Sequence, residues 1–174
     1  MEKTPLEMIN ISRKYVPCKE QKTTRPKPEE VAEDFLNTEN IVSFLDIIKF
    51  IRANKIGIAW VSSNQWGLNV KSKRMGFVKM HEGNWLFRQQ PRHMVFYEEM
   101  ENSDLKQFVN SHIRQKVCLY EKCYEGPDIP IAKTKTSICT CWPLRIYNPN
   151  GDTFEQTKRL ILHSVSQTLD IGGN

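Results

Sequence analysis

The segment from Gly57 to Gln89, GIAWVSSNQWGLNVKSKRMGFVKMHEGNWLFRQ, constrains the fold more than any other part of the chain. Polar, turn-forming clusters divide it: Ser62-Ser63-Asn64, Lys71-Ser72-Lys73-Arg74 and His81-Glu82-Gly83-Asn84. The runs between them have strand length, and their large apolar residues recur at alternate positions. Successive side chains of a strand point to opposite faces, so Trp66, Leu68 and Val70 share one face, as do Trp85 and Phe87. Connections this short join antiparallel neighbours. The segment therefore predicts an antiparallel meander of four to five strands.

The flanking chain supplies helices to cover it. Asn37 or Thr38 caps a helix in which Ile41, Phe44, Leu45, Ile48 and Ile51 follow the three- and four-residue spacing of one buried stripe. Before it, Glu29-Glu30 open a shorter helical pattern through Val31 and Phe35, with acids where the helix dipole favours them. Ser103 or Asn102 starts another helix carrying Leu105, Phe108, Val109, Ile113 and Val117, expected to run to about Cys118 or Tyr120. The last helix opens on a capping-box pattern, Thr153 with Gln156 or Asp152 with Glu155, after the strong turn Asn148-Pro149-Asn150-Gly151. Its inner side is read as Phe154, Leu160, Ile161, Val165 and Leu169. Segregated runs of strands and helices predict a single α+β domain over residues 28–174. Residues 1–27, rich in charge and proline, are expected to form a polar arm, extended or weakly ordered rather than helical. His93 to Glu98 and part of Ile138 to Ile146 are further strand candidates.

Charge is distributed in blocks. Residues 28–54 carry net −4 and residues 55–92 net +6, within a chain of net +5. The sheet is the basic part and the helices before it are acidic, which fits either a polyanion-binding face or internal complementarity between sheet and helices. No apolar run has the length of a membrane span, and no secretory pattern opens the chain. A cytoplasmic protein with no membrane partner is the expectation.

Three constellations are candidates for chemistry. Cys118, Cys123, Cys139 and Cys141 sit in a Gly/Pro-rich stretch, where four thiolates would suit a structural zinc ion. Their spacing, x4 in one pair and x1 in the other, departs from paired C-x2-C knuckles, and buried free thiols are the competing reading. The second is the basic, aromatic sheet itself. Lys71, Lys73, Arg74 and Lys79 are placed to follow phosphates, with tryptophans as stacking platforms for single-stranded nucleic acid. The third is a cup for a small molecule lined by Trp60, Trp66, Trp85, Phe87 and Tyr97, with Arg88 or Arg92 orienting an anion.

No phosphate-cradling Gly-rich loop, nucleophile elbow or H-E-x-x-H helix is present in the sequence. His112 lies six residues before Cys118, on a different helical face, so no cysteine–base pair is evident. The order of an Ile/Leu-striped helix, RANKIGIAWVSSNQWGLNVKSKRMGFVKM…GNWLFRQ, a helix, and VCLYEKCYEGPDIP…CTCWPLRIYNPNGD resembles a family of small uncharacterised bacterial proteins. The resemblance spans roughly residues 40–165. That family has no established activity, so the resemblance implies a layout and no site residue. The residues point first to a non-enzymatic binding or regulatory module for a small molecule or protein partner, using Trp60, Trp66, Trp85 and Arg88. A single-stranded nucleic-acid binder and a cysteine-dependent enzyme are the alternatives.

Overall fold

A computed structural model describes residues 18–90, 103–113 and 144–170. Helices α1 (Cys18–Thr24), α2 (Pro28–Phe35) and α3 (Thr38–Ala53) precede the strands β1 (Gly57–Ser62), β2 (Gln65–Val70), β3 (Lys73–His81) and β4 (Asn84–Gln89). Helix α4 (Ser103–His112), strand β5 (Arg145–Tyr147) and helix α5 (Gly151–Asp170) follow. The five strands form one antiparallel sheet in the order β1-β2-β3-β4-β5. This is the α+β meander expected from the alternation of residues 57–89.

Turn chemistry sets the register. Lys71-Ser72 and Glu82-Gly83 both have positive φ at each residue, the backbone that lets a two-residue hairpin follow the strand twist. Gly83 does more than turn. It exchanges backbone hydrogen bonds with the α2–α3 connection, Asn37 N–H to Gly83 O at 3.0 Å and Gly83 N–H to Phe35 O at 3.1 Å. The Asn40 amide donates to the same carbonyl at 2.9 Å. The β3–β4 tip is thereby clamped to the start of α3.

Directly paired residues share a face, so the register assigns the paired side chains. Trp60 and Trp66, Ile58 and Leu68, Val78 and Phe87, Met80 and Trp85, and Ile146 lie on one face. The helices pack there. Phe44 meets Trp85 edge-on with ring centroids 5.5 Å apart, and Gln89 on β4 donates to Ser164 on α5 at 2.6 Å. Phe44, Ile47, Ile48 and Ile51 of α3 and Leu160 and Ile161 of α5 are fully buried against this face. Side chains of that size each contribute about 1.5–3 kcal/mol on burial.

Four local expectations change. Leu45 is 37% exposed, and Ile47 takes its place in the core. The α3 stripe is centred nearer Phe44, Ile48 and Ile51, and the same rotation turns Asn40 inward to its Gly83 bond. Leu169 is likewise exposed on α5, whose inner side carries buried Thr157, Ser164 and Thr168 instead. These hydroxyls donate to the carbonyl four residues back, at 2.7, 2.9 and 2.7 Å, so each of the three is buried with a partner. Helix α4 ends at His112, short of Cys118, because Ile113 leaves it to bridge Leu144.

The fourth change is at the N-terminal arm, which contains a helix. Gln21 on α1 is 2% exposed. Its amide donates to Asn64 Oδ1 at 2.6 Å and accepts from the Asn64 N–H at 2.8 Å. Gln21 thus satisfies a hairpin turn 43 residues away, a partner that local propensity does not encode. His93–Glu98 and Ile138–Pro143 lie outside the described residues.

Candidate functional site

The three tryptophans and Arg88, read together as one ligand site, stand on opposite sides of the sheet. Trp66 and Trp85 are buried in the core. Trp66 Nε1 donates to the Pro26 carbonyl at 2.7 Å, and Trp85 Nε1 donates to Ser43 Oγ at 3.1 Å. Each indole is anchored at its polar end, as buried tryptophan requires. Trp60 shares their face, packs against the core and is half-buried. Arg88 pairs with Phe77 and Arg145, which places it on the other face.

That other face is cationic. The register puts Arg74, Phe77 and Lys79 of β3, Leu86 and Arg88 of β4, and Arg145 and Tyr147 of β5 together on it. Phe77 and Leu86 are buried but stand apart from the core beneath the helices. Around them the four cations are half-buried, and Tyr147 is 51% exposed.

Each cation has a structural reason for its position. Arg74 is drawn back over β2: its Nε donates to Asn69 Oδ1 at 2.6 Å, and its guanidinium lies 5.0 Å from the Phe77 ring centroid. Gly67 makes this possible, because a Cβ there would collide with the guanidinium. Arg88 and Arg145 are direct cross-strand partners. Burial, and then the charges of Arg88 and Arg145, push Lys79 below the usual lysine range, with the Tyr147 phenol acting the other way. Burial, and then Arg145, lower Arg88 in the same manner, again opposed by Tyr147. The three cations and the phenol therefore form one electrostatic neighbourhood. Among the described residues no carboxylate is within ion-pair distance of Lys79 or Arg145, and Arg145 Nε is buried without a hydrogen-bond partner.

Of the four residues read from the sequence as phosphate-tracking, the structure brings two to this face, Arg74 and Lys79. Lys71 is exposed in the β2–β3 turn, and Lys73 pairs with Val70 and alternates onto the helix side. Arg145 and Tyr147 join them on this face without a sequence motif to mark them. Their signal is the alternation of Arg145-Ile146-Tyr147 after a proline-rich stretch, but their neighbours on β4 are about 60 residues away in sequence.

A cavity lies elsewhere among the described residues. It has a volume of about 410 Å³ and is lined by Asp34, Phe35, Asn37, Asn64, His81, Glu82 and Gly83, at the hairpin tips. The lining contains none of the tryptophans expected to form a cup. Cys118, Cys123, Cys139 and Cys141 lie outside the described residues. Among the described residues no group of three His, Cys, Asp or Glu side chains is placed to hold a metal ion, and no helix is long and apolar enough to cross a membrane.

No protein-family model matches the chain, and neither a curated protein nor a solved structure matches it.

Proposed function

We propose that this protein is a non-enzymatic binding module whose site is the cationic face of the sheet and whose ligand carries phosphate or comparable anionic groups. The supporting observation is the juxtaposition of Lys79, Arg88 and Arg145 on three consecutive strands, close enough that, beyond burial, Arg88 and Arg145 disfavour the charged form of Lys79 and Arg145 that of Arg88. The charges of Arg88 and Arg145 act against that of Lys79. An anion seated between the cations removes this repulsion and gains charge-assisted hydrogen bonds, with arginine suited to bidentate contact. Partial burial strengthens the effect, because a half-desolvated site screens charge less than open water does.

The test is thermal unfolding at low salt with and without inorganic polyphosphate. Ligand binding to the folded state alone raises the midpoint by mass action. The midpoint is expected to rise for the natural chain and to rise much less for the Lys79→Gln/Arg145→Gln double variant. No rise for either protein, or equal rises for both, would refute the assignment of the site.

A further inference from the structure

We infer that the anionic ligand of this face is a single-stranded nucleic acid laid across the strands, with Tyr147 as a stacking surface for one base. The inference rests on the anion-binding reading above and goes further in naming the ligand class. One cation lies over each of four consecutive strands: Arg74 over Gly67 of β2, Lys79 on β3, Arg88 on β4 and Arg145 on β5. Three inter-strand spacings make this row roughly 14 Å across. A single phosphate group cannot touch both ends of such a row, whereas a chain carrying a phosphate at each nucleotide can follow it.

Tyr147 separates a nucleic acid from a plain polyanion. The residue is 51% exposed, and it belongs to the same electrostatic neighbourhood as Lys79 and Arg88. A ring beside a phosphate track is the arrangement on which single-stranded nucleic acids stack unpaired bases. In a duplex the bases are already stacked on one another, so an isolated surface tyrosine has no base face to meet. Among the described residues, the apolar side chains exposed on helices, Val42 and Leu45 on α3 and Leu162 and Leu169 on α5, are carried by elements packed on the opposite side of the sheet. An anionic membrane would need such residues beside the cations, to insert while the charges engage headgroups.

The experiment is fluorescence anisotropy with a labelled 12-nucleotide single strand of mixed sequence, titrated with the natural chain, Arg145→Gln and Tyr147→Leu. The same single strand annealed to its complement, inorganic polyphosphate and phosphatidylserine vesicles are run alongside. The single strand is expected to bind with log K falling against log salt by about 0.7 for each phosphate engaged. Arg145→Gln should reduce that slope by about 0.7. Tyr147→Leu should weaken binding roughly five- to a hundred-fold, the worth of one stacked base, and leave the slope unchanged. Tyr147 is at the surface, and an unchanged melting curve confirms that the variant is folded.

Binding of polyphosphate that depends on Arg145, without binding of the single strand, would overturn this inference and leave the anion-binding reading standing. A duplex or vesicles bound more tightly than the single strand would overturn it in favour of those partners. Indifference to Tyr147→Leu would remove the stacking role and with it the case for unpaired bases. Failure of every polyanion to bind would overturn both readings.

Discussion

Neutralising Arg145 should make the free protein more stable. Arg88 and Arg145 are directly opposite each other on β4 and β5, and like charges at such positions destabilise a sheet by about 0.2–1 kcal/mol. Lys79 adds to the repulsion from β3. Arg145→Gln removes one member and keeps part of the aliphatic stem, so stability is expected to rise by about 0.5 kcal/mol. For a chain of this size that corresponds to roughly 1–2 °C in the unfolding midpoint. Truncating the side chain also loses some packing, which works in the other direction, and salt separates the two contributions. The Coulomb part fades as the screening length falls from about 10 Å at 0.1 M ionic strength to about 3 Å at 1 M, whereas packing does not. Urea unfolding of both proteins at low and high salt is the assay. The natural chain should gain stability with salt, the variant should gain less, and the advantage of the variant should vanish at 1 M. Destabilisation of the variant by the same amount at both salt concentrations would show that the cations are not in repulsive contact, and the argument for the site would lose its physical basis.

Ile47→Ala is expected to cost about 2–5 kcal/mol and Leu45→Ala under 1 kcal/mol, read as the difference in urea midpoints, because only the former side chain is in the core. Replacing Lys71-Ser72 by Asn-Gly should stabilise the protein by about 1 kcal/mol in the same assay, since both residues hold positive φ that Asn and Gly adopt more readily. Gly83→Ala should destabilise by about 1–3 kcal/mol: the residue has φ +81° and a Cβ would fall 2.5 Å from Asn37 Oδ1. For His163, burial holds the imidazole below its ordinary pKa of 6.5, and Nε2 is 2.8 Å from Gln167 Nε2, a bond in which the amide donates to a neutral ring. The unfolded chain then binds the proton first, so stability is fully present above about pH 6.5 and declines as pH falls below it. Melting curves between pH 7.5 and 5 should show a shallower acid decline for His163→Gln.

The meander was legible in the sequence because its information is local. Alternation assigns faces within each strand, and each turn sets the register of the two strands it joins. From Phe77 to Arg88 that reasoning suffices to put Phe77, Lys79, Leu86 and Arg88 on one side and Val78, Met80, Trp85 and Phe87 on the other. The helices at 38–53, 103–112 and 151–170 were legible for the same reason, through the periodicity of their apolar residues. Helix α1 was not, because Gln21 is held by Asn64 and neither residue announces the other.

The site follows the same division. Composition identified the sheet as basic and aromatic, and it grouped the tryptophans with the cations as one surface. The alternation and register of the strands separate them, and tertiary packing decides which of the two faces is covered. Helices α3 and α5 bury one face, and Trp66 and Trp85 go with it because an apolar ring loses most by remaining in water. The cations are left on the other face, where Arg145 and Tyr147 arrive from the far end of the chain to complete the row. Sequence alone determined that there would be an antiparallel sheet with positive charge on it. Which face carries the charge, and which residues meet there, was decided by packing and by the pairing of β4 with β5, contacts between residues too distant in the chain for any local pattern to specify.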